Sequence, residues 1–197
     1  MLTLQLLILN KEQWENIEKG DIKAYSEAYI FYYKKLYNYG RKFTEDTGMT
    51  GDAINEVFIT LWNQRKNLAA IDFPQAYLFT SFRNNILKKI KRSKVISSIE
   101  ATAEEEVAFS AETLIIKKET DKAQQRKLKE AFKQLTARQK EAIFLRFYEG
   151  LSYKEIATTM NISVKATYKI MARALLQLKD ILSLHLMLFM TLLRELL

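Results

Sequence analysis

The chain is 197 residues long and 48% hydrophobic, with one proline and five glycines, a composition that favours helices and suits one domain or two small ones. It has no cysteine, which excludes disulfides, thiolate zinc sites and cysteine nucleophiles, and its only histidine, His185, is accompanied by no second ligand or base. The net charge of +8 is divided as +4 in residues 1–92, −3 in residues 93–125 and +7 in residues 126–197, so two basic blocks suited to a polyanion flank an acidic one.

The N-terminal basic block contains three amphipathic runs. The first begins at Asp21, a suitable N-cap, and places aromatic residues at helical spacing up to about Gly40. The second begins at Thr50 or Asp52 and has one apolar stripe over GDAINEVFITLW. The third follows Pro74. These patterns predict three helices, and we expect the whole chain to be all-α.

The third run carries the strongest charge signal of this block. Six cations and no acid lie between Arg83 and Lys94, which indicates a surface that binds phosphates. Aromatic residues beside such a track can hold unstacked bases, although the spacing of Phe79 and Phe82 is also that of core residues. The loop of residues 67–73 is the better candidate for base contacts, because a loop can form a pocket.

Residues 93–118 are predicted to be an acidic linker. They contain Ser, Thr, Ala and Glu clusters, including three consecutive glutamates at residues 104–106, and no helical stripe appears before about Glu119. An alternative stays open, namely one continuous helical domain with a long surface loop, because apolar residues such as Phe109 could dock on it.

The C-terminal basic block has the spacing of a helix-turn-helix. Thr136 is the expected N-cap of a helix that ends near Gly150, and Ser152 starts the next helix in LSYKEIATTMNISVKATYKIMARA. Asn161 occupies the corner, where positive φ is needed and asparagine is tolerated. Ser163 then caps a second helix that carries cations, and this pattern predicts a recognition helix for a DNA groove.

From about residue 21 to residue 182, the chain resembles an extracytoplasmic-function (ECF) sigma factor of the sigma-70 superfamily. The resemblance rests on the order of five segments: the aromatic helix, GDAINEVFITLW, YLFTSFRNNILKKIKR, the acidic linker and the helix-turn-helix. The family's polymerase-binding motif is matched at Asp52, Ile54, Glu56, Phe58 and Trp62, with Asn55 in place of a glutamine. The resemblance implies two small helical domains, residues 1–92 and 119–182, joined by the linker of residues 93–118 and followed by an apolar C-terminal helix at residues 183–197.

The resemblance also implies a site for each partner. Core RNA polymerase is the expected partner through its β′ clamp helices and its β flap, and the helix of residues 52–65 is assigned to the clamp helices. The residues assigned to core polymerase binding are Asp52, Asn55, Glu56, Phe58, Trp62 and Gln64. The minus-10 element and its phosphates are assigned to Tyr77, Arg83, Asn84, Lys88, Lys91 and Arg92. The minus-35 element is assigned to Ser163, Lys165, Ala166, Tyr168, Lys169 and Arg173. We expect promoter DNA as the ligand, a cytoplasmic location and no cofactor, metal, small-molecule substrate or enzymatic activity; an anti-sigma partner is left open.

Two departures from the family remain. The recognition helix begins Val-Lys-Ala-Thr-Tyr where the family usually has a Thr-Val pair, so the promoter preference is unassigned. The 13 uncharged residues 181–193 are short of the roughly 20 that span a bilayer. We therefore expect this tail to pack on the protein or on a partner. Docking on the N-terminal domain or the linker would hold the two DNA-binding modules closed, and membrane contact is the alternative. Two other function classes stay open: a helix-turn-helix regulator that is not a polymerase subunit, and a helical adaptor that uses the tail.

Overall fold

The computed structural model describes residues 11–97, 108–110 and 129–182, and this part of the chain contains helices and loops but no strand. The N-terminal helices are α1 (Lys11–Glu18), α2 (Ile22–Gly40), α3 (Thr47–Asn63), a 3₁₀ helix (Arg65–Ala70) and α4 (Pro74–Ser97). Residues 129–133 are also helical. The C-terminal helices are α5 (Ala137–Phe147), α6 (Tyr153–Met160) and α7 (Val164–Leu182). The predicted all-α fold is confirmed.

The N-terminal helices begin where side-chain caps are available. Asp21 caps α2 as predicted, because its carboxylate accepts hydrogen bonds from the amides of Lys23 and Ala24 at 2.8 and 3.2 Å. The start predicted for α3 is wrong, since Asp46 caps this helix through the Met49 amide at 2.8 Å. The basic helix α4 starts at Pro74, one residue before the predicted start, and continues past the predicted domain boundary at residue 92.

Gly40 is the last residue of α2, as the sequence suggested, but its role is one of packing. A Cβ atom at this position would lie 2.6 Å from Cγ2 of Thr50 and 2.7 Å from Cζ of Phe82. Such distances are shorter than van der Waals contact. The missing side chain therefore allows α2 to approach both α3 and α4.

The helix-turn-helix forms as predicted. Thr136 and Ser152 each start a helix with a capping box, in which the hydroxyl and the side chain three residues later exchange hydrogen bonds with the backbone. Asn161 turns the corner in the left-handed conformation at φ 53° and ψ 53°. The Ser163 hydroxyl accepts a hydrogen bond from the Ala166 amide at 3.1 Å and so caps α7.

The two predicted domains share one hydrophobic core. Helix α4 packs against α3 on one side and against α6 of the helix-turn-helix on another. The buried cluster continues from Tyr39 and Phe82 in the N-terminal helices to Phe144 in α5. Phe109 of the predicted linker is 3% exposed and lies against Tyr39, Phe43 and Phe144. The described part of the linker is thus docked between the two halves.

None of the helices in the described ranges has the length and apolar character needed to cross a membrane. The predictions for residues 183–197 and for His185 lie outside the described residues.

Candidate nucleic-acid interface

The recognition helix α7 has one buried face and one exposed face. Thr167, Met171 and Ala174 are buried against the rest of the helix-turn-helix. On the opposite face the exposed side chains include those of Lys165, Tyr168, Lys169 and Arg173. Ala166 is half-buried, and Ser163 is exposed at the helix start. The structure thus places four of the six residues predicted for the minus-35 element on the exposed face of α7.

Tyr168 has a partner that sequence reasoning did not anticipate. Its ring stacks on that of Tyr153, with the centroids 4.4 Å apart and the planes 10° apart. Tyr153 is the first residue of α6, and it is not among the residues predicted to contact DNA. No local spacing rule predicts this contact, because the two rings belong to different helices.

The basic helix α4 presents four of the six residues predicted for the minus-10 element. Asn84, Lys88, Lys91 and Arg92 are exposed. The ring of Tyr77 is half-buried and meets Trp14 edge to face at 6.0 Å. Lys89 lies on the same helix, but its ammonium group is 2.6 Å from a carboxylate oxygen of Glu56.

Arg83 is the exception among the predicted minus-10 residues. Its guanidinium binds both carboxylate oxygens of Glu141 in α5, at 2.7 and 3.2 Å. The side chains of Arg83 and Glu141 are only 18% and 4% exposed. In this conformation the Arg83 guanidinium is paired with Glu141, so its assignment to minus-10 DNA stays a prediction that requires this ion pair to open.

Tyr39 completes this contact. Its hydroxyl donates a 2.5 Å hydrogen bond to Glu141, and its ring stacks on Phe144 with centroids 5.6 Å apart. Burial, together with the negative charge of Glu141, holds the pKa of the Tyr39 hydroxyl well above its usual range, so the group remains a donor. We refer to Tyr39, Arg83 and Glu141 as the interdomain clasp.

A second polar contact joins the two halves at Glu149, just after α5. The Lys35 ammonium lies 3.3 Å from its carboxylate, and the Gln75 amide donates to its backbone carbonyl at 2.9 Å. Burial raises the pKa of the Glu149 carboxyl, and the charge of Lys35 opposes that shift.

The loop predicted to contact bases lies beside the helix-turn-helix, because the Lys154 ammonium of α6 is 5.5 Å from the ring centroid of Phe73.

The residues predicted to bind polymerase fall into two groups. Asp52, Asn55, Glu56 and Gln64 are exposed on α3 or at its end, and Trp62 is half-buried beside Tyr25. Phe58 is 1% exposed and lies in the hydrophobic core. It does not lie on the surface, because the apolar stripe of α3 faces α2 and α4, and its assignment to polymerase binding stays a prediction.

The same surface includes two residues that sequence reasoning missed. Ile22 and Ile59 are largely exposed, and with Tyr25 and Trp62 they line a shallow pocket of about 310 Å³. Exposed apolar residues around a half-buried tryptophan are typical of a protein-binding surface.

A helix-turn-helix with a basic recognition helix, packed on a second helical group with its own basic helix, is the architecture of a protein that contacts DNA at two places. Sigma-70 region 2 matches residues 29–95, and sigma-70 region 4 matches residues 125–178. The chain therefore belongs to the sigma-70 family, as its sequence predicted. The partners of this family are core RNA polymerase and promoter DNA.

Two solved structures have the same fold. The sigma factor RpoE from Bartonella quintana, in complex with the anti-sigma factor NepR, is 19% identical with a TM-score of 0.57; the match covers 83% of this chain and 99% of RpoE. CnrH, in complex with the cytosolic domain of CnrY, is 16% identical with a TM-score of 0.56, over 87% of this chain and 96% of CnrH. No curated protein matches the sequence.

Proposed function

We propose that this chain is an ECF-type sigma factor that directs core RNA polymerase to promoters with minus-10 and minus-35 elements. The observation that carries the proposal is the presence of regions 2 and 4 in one chain, each with an exposed basic helix. The polymerase supplies the chemistry of transcription, and this chain supplies recognition. It acts where the polymerase acts, in the cytoplasm.

In region 4, α7 enters the major groove of the minus-35 element. Residues at the start of a recognition helix contact base edges, and cations along its flank bind phosphates. Lys165, Tyr168 and Lys169 are exposed at the start of α7, and Arg173 follows one turn later. These four side chains therefore serve both to read bases and to bind phosphates.

In region 2, the exposed cations of α4 hold the phosphates of the minus-10 element. Separating bases costs a few kcal/mol per step, and captured single-stranded bases in a basic channel offset that cost. Tyr77 and residues 67–73 lie at the N-terminal side of this basic surface, where displaced bases would be bound.

Promoter binding requires the interdomain clasp to open. Arg83 cannot bind Glu141 and a DNA phosphate with the same donors, so the closed conformation leaves region 2 without one of its cations. Once region 2 and region 4 separate, each contacts its own element. Two weak modules on one chain bind tightly only when both sites are present at the correct spacing.

An anti-sigma factor is the partner that would hold the chain closed. RpoE and CnrH, which share this fold, were each solved with a bound partner, NepR and the cytosolic domain of CnrY. In this chain, Ile30, Lys34, Phe144 and Tyr148 contribute to a groove of about 450 Å³ between α2 and α5. Ile30 is 73% exposed there, so an apolar side chain of a partner would bury it.

Co-purification tests this proposal against an ordinary helix-turn-helix regulator. The full chain, tagged and mixed with core polymerase, is expected to elute with the polymerase, and the complex is expected to bind promoter DNA specifically. Asp52→Ala is expected to weaken the association. Specific DNA binding by the chain without any association with polymerase would instead identify a regulator.

A further inference from the structure

We propose that Tyr153 is a positioning residue that holds Tyr168 for reading the minus-35 element, so that this pair of tyrosines contributes to promoter choice. The inference rests on the proposed function, because it concerns the same recognition helix. It starts from the stacked rings of Tyr153 and Tyr168, whose centroids are 4.4 Å apart and whose planes differ by 10°.

Tyr153 is itself fixed from several sides. It is 9% exposed and is the first residue of α6, directly after the Ser152 capping box. The guanidinium of Arg146 lies 5.4 Å from the Tyr153 ring centroid and also donates to the Leu151 carbonyl at 3.2 Å. A ring held by a helix cap, by burial and by a cation provides a rigid platform.

Tyr168 differs from Tyr153 in exposure. Its side chain is 43% exposed and lies on the same face of α7 as Lys165 and Lys169. The core under this part of α7 is filled by Thr167 and Met171, which are fully buried. The stack therefore restrains a side chain whose remaining surface faces the proposed DNA groove.

A restrained tyrosine at this position has a defined chemistry toward base pairs. Its hydroxyl can donate to or accept from base edges in the major groove, and its ring carbons can contact the methyl group of thymine. A side chain held in one orientation cannot rearrange to suit a different base pair, so a wrong base leaves the hydroxyl unpaired or in a clash. Removing the platform is therefore expected to weaken discrimination more than overall binding.

The test uses holoenzyme assembled from core polymerase and the full-length chain, with a promoter library in which the minus-35 element is randomised. Base preferences are read by sequencing the transcripts. Tyr168→Ala and Tyr153→Leu are each expected to reduce discrimination at the same minus-35 base pair by on the order of tenfold. Tyr153→Phe keeps the ring and is expected to keep the preference. Thr158→Ala, an exposed change elsewhere on α6, is the matched control.

The double variant Tyr153→Leu with Tyr168→Ala separates positioning from a general loss of stability. It is expected to discriminate no less than Tyr168→Ala alone, because the platform acts only through Tyr168. If Tyr153→Leu keeps the wild-type preference, or lowers transcription equally from every promoter, the inference is overturned. A wild-type chain that gives no promoter-dependent transcript would instead contradict the proposed function, and the inference with it.

Discussion

Arg83 in region 2 and Glu141 in region 4 form a buried, bidentate ion pair that joins the two domains across 58 positions of sequence. Burying such a pair gives little net stability, but removing one partner costs ~3–5 kcal/mol because a charge is left buried alone. The pair is thus suited to specifying one closed arrangement of the two domains. It also uses a cation assigned to promoter DNA.

Replacing Glu141 by Gln is expected to shift the free chain toward an open conformation. The substitution removes the carboxylate that neutralises Arg83, at a cost to the closed state that approaches the ~3–5 kcal/mol of a broken buried pair. The radius of gyration measured by small-angle X-ray scattering should rise. Affinity for a forked minus-10 DNA, measured by fluorescence anisotropy, should also rise, because Arg83 is released.

Two variants control this result. Glu130→Gln breaks an exposed ion pair with Lys133 and is expected to change neither quantity, since such surface pairs contribute ~0–1 kcal/mol. Arg83→Ala should open the chain without increasing its DNA affinity. An unchanged radius of gyration in Glu141→Gln, with the fold intact, would show that the clasp does not hold the domains together.

Glu149 makes the stability of the closed fold depend on pH. Burial raises the pKa of its carboxyl above the usual 4.5, so the folded state favours the protonated form, although Lys35 opposes the shift. Stability from this group is therefore fully present below pH 4.5 and is lost as the pH rises through the raised pKa. The free energy of unfolding can be measured in urea at pH 5 and pH 7.5 for wild type and Glu149→Gln. Relative to wild type, Glu149→Gln should be more stable at pH 7.5 than at pH 5. A difference that is the same at both pH values would contradict the assignment.

Gly40 and Gly51 predict opposite effects of the same substitution. Gly40→Ala would place a methyl group within 2.7 Å of Thr50 and Phe82 and should destabilise the fold by ~1–3 kcal/mol. At Gly51, inside α3, the nearest atom to an added Cβ is the Tyr33 hydroxyl at 3.7 Å. Gly51→Ala should therefore stabilise the fold by up to ~1 kcal/mol through helix propensity. Thermal unfolding of both variants measures these effects. An equal shift of the unfolding temperature in the two variants would contradict the packing role of Gly40.

The basic face of α4 predicts which lysines contact phosphates. Lys88→Gln and Lys91→Gln should each reduce the slope of log affinity against log salt for minus-10 DNA by ~0.7–0.9, since each removes one phosphate contact. Lys89→Gln should change that slope less, because Lys89 is held by Glu56. Equal effects at all three positions would show that the Lys89–Glu56 contact opens when DNA binds.

Asp52 and Phe58 both lie on α3, but replacing each by alanine should have different effects. Asp52→Ala, at an exposed position, is expected to weaken binding to core polymerase while leaving the unfolding temperature unchanged. Phe58→Ala empties a core position and should cost ~3–5 kcal/mol of stability. Pull-down and thermal unfolding together distinguish the two. Loss of polymerase binding by Phe58→Ala without loss of stability would instead identify Phe58 as a direct contact with polymerase.

Local rules were enough to predict much of the fold and the recognition helix from sequence. Asp21, Thr136 and Ser152 cap their helices because short polar side chains satisfy free amides, and Asn161 accepts positive φ at the corner. The cations predicted at the start of α7 are exposed. These features depend on residues only a few positions apart.

The contacts between the domains could not be predicted in this way. Nothing near Arg83 in the sequence indicates Glu141, and the apolar stripe of α3 does not reveal which helices cover Phe58. From sequence, Arg83 is predicted to bind DNA because the residues that follow it in the chain include several cations. Its partner is supplied only by tertiary packing, as are the close approach at Gly40 and the stack of Tyr153 on Tyr168.

Transcription in vitro tests the central claim most directly. Core polymerase with this chain, on a genomic DNA library with mapped start sites, is expected to initiate at sites preceded by two shared elements at a constant spacing. Reversing the charges of Lys165 and Lys169 should abolish this initiation while polymerase binding persists. Start sites identical to those of core polymerase alone, despite a stable complex, would contradict the assignment of this chain as a promoter-specificity subunit.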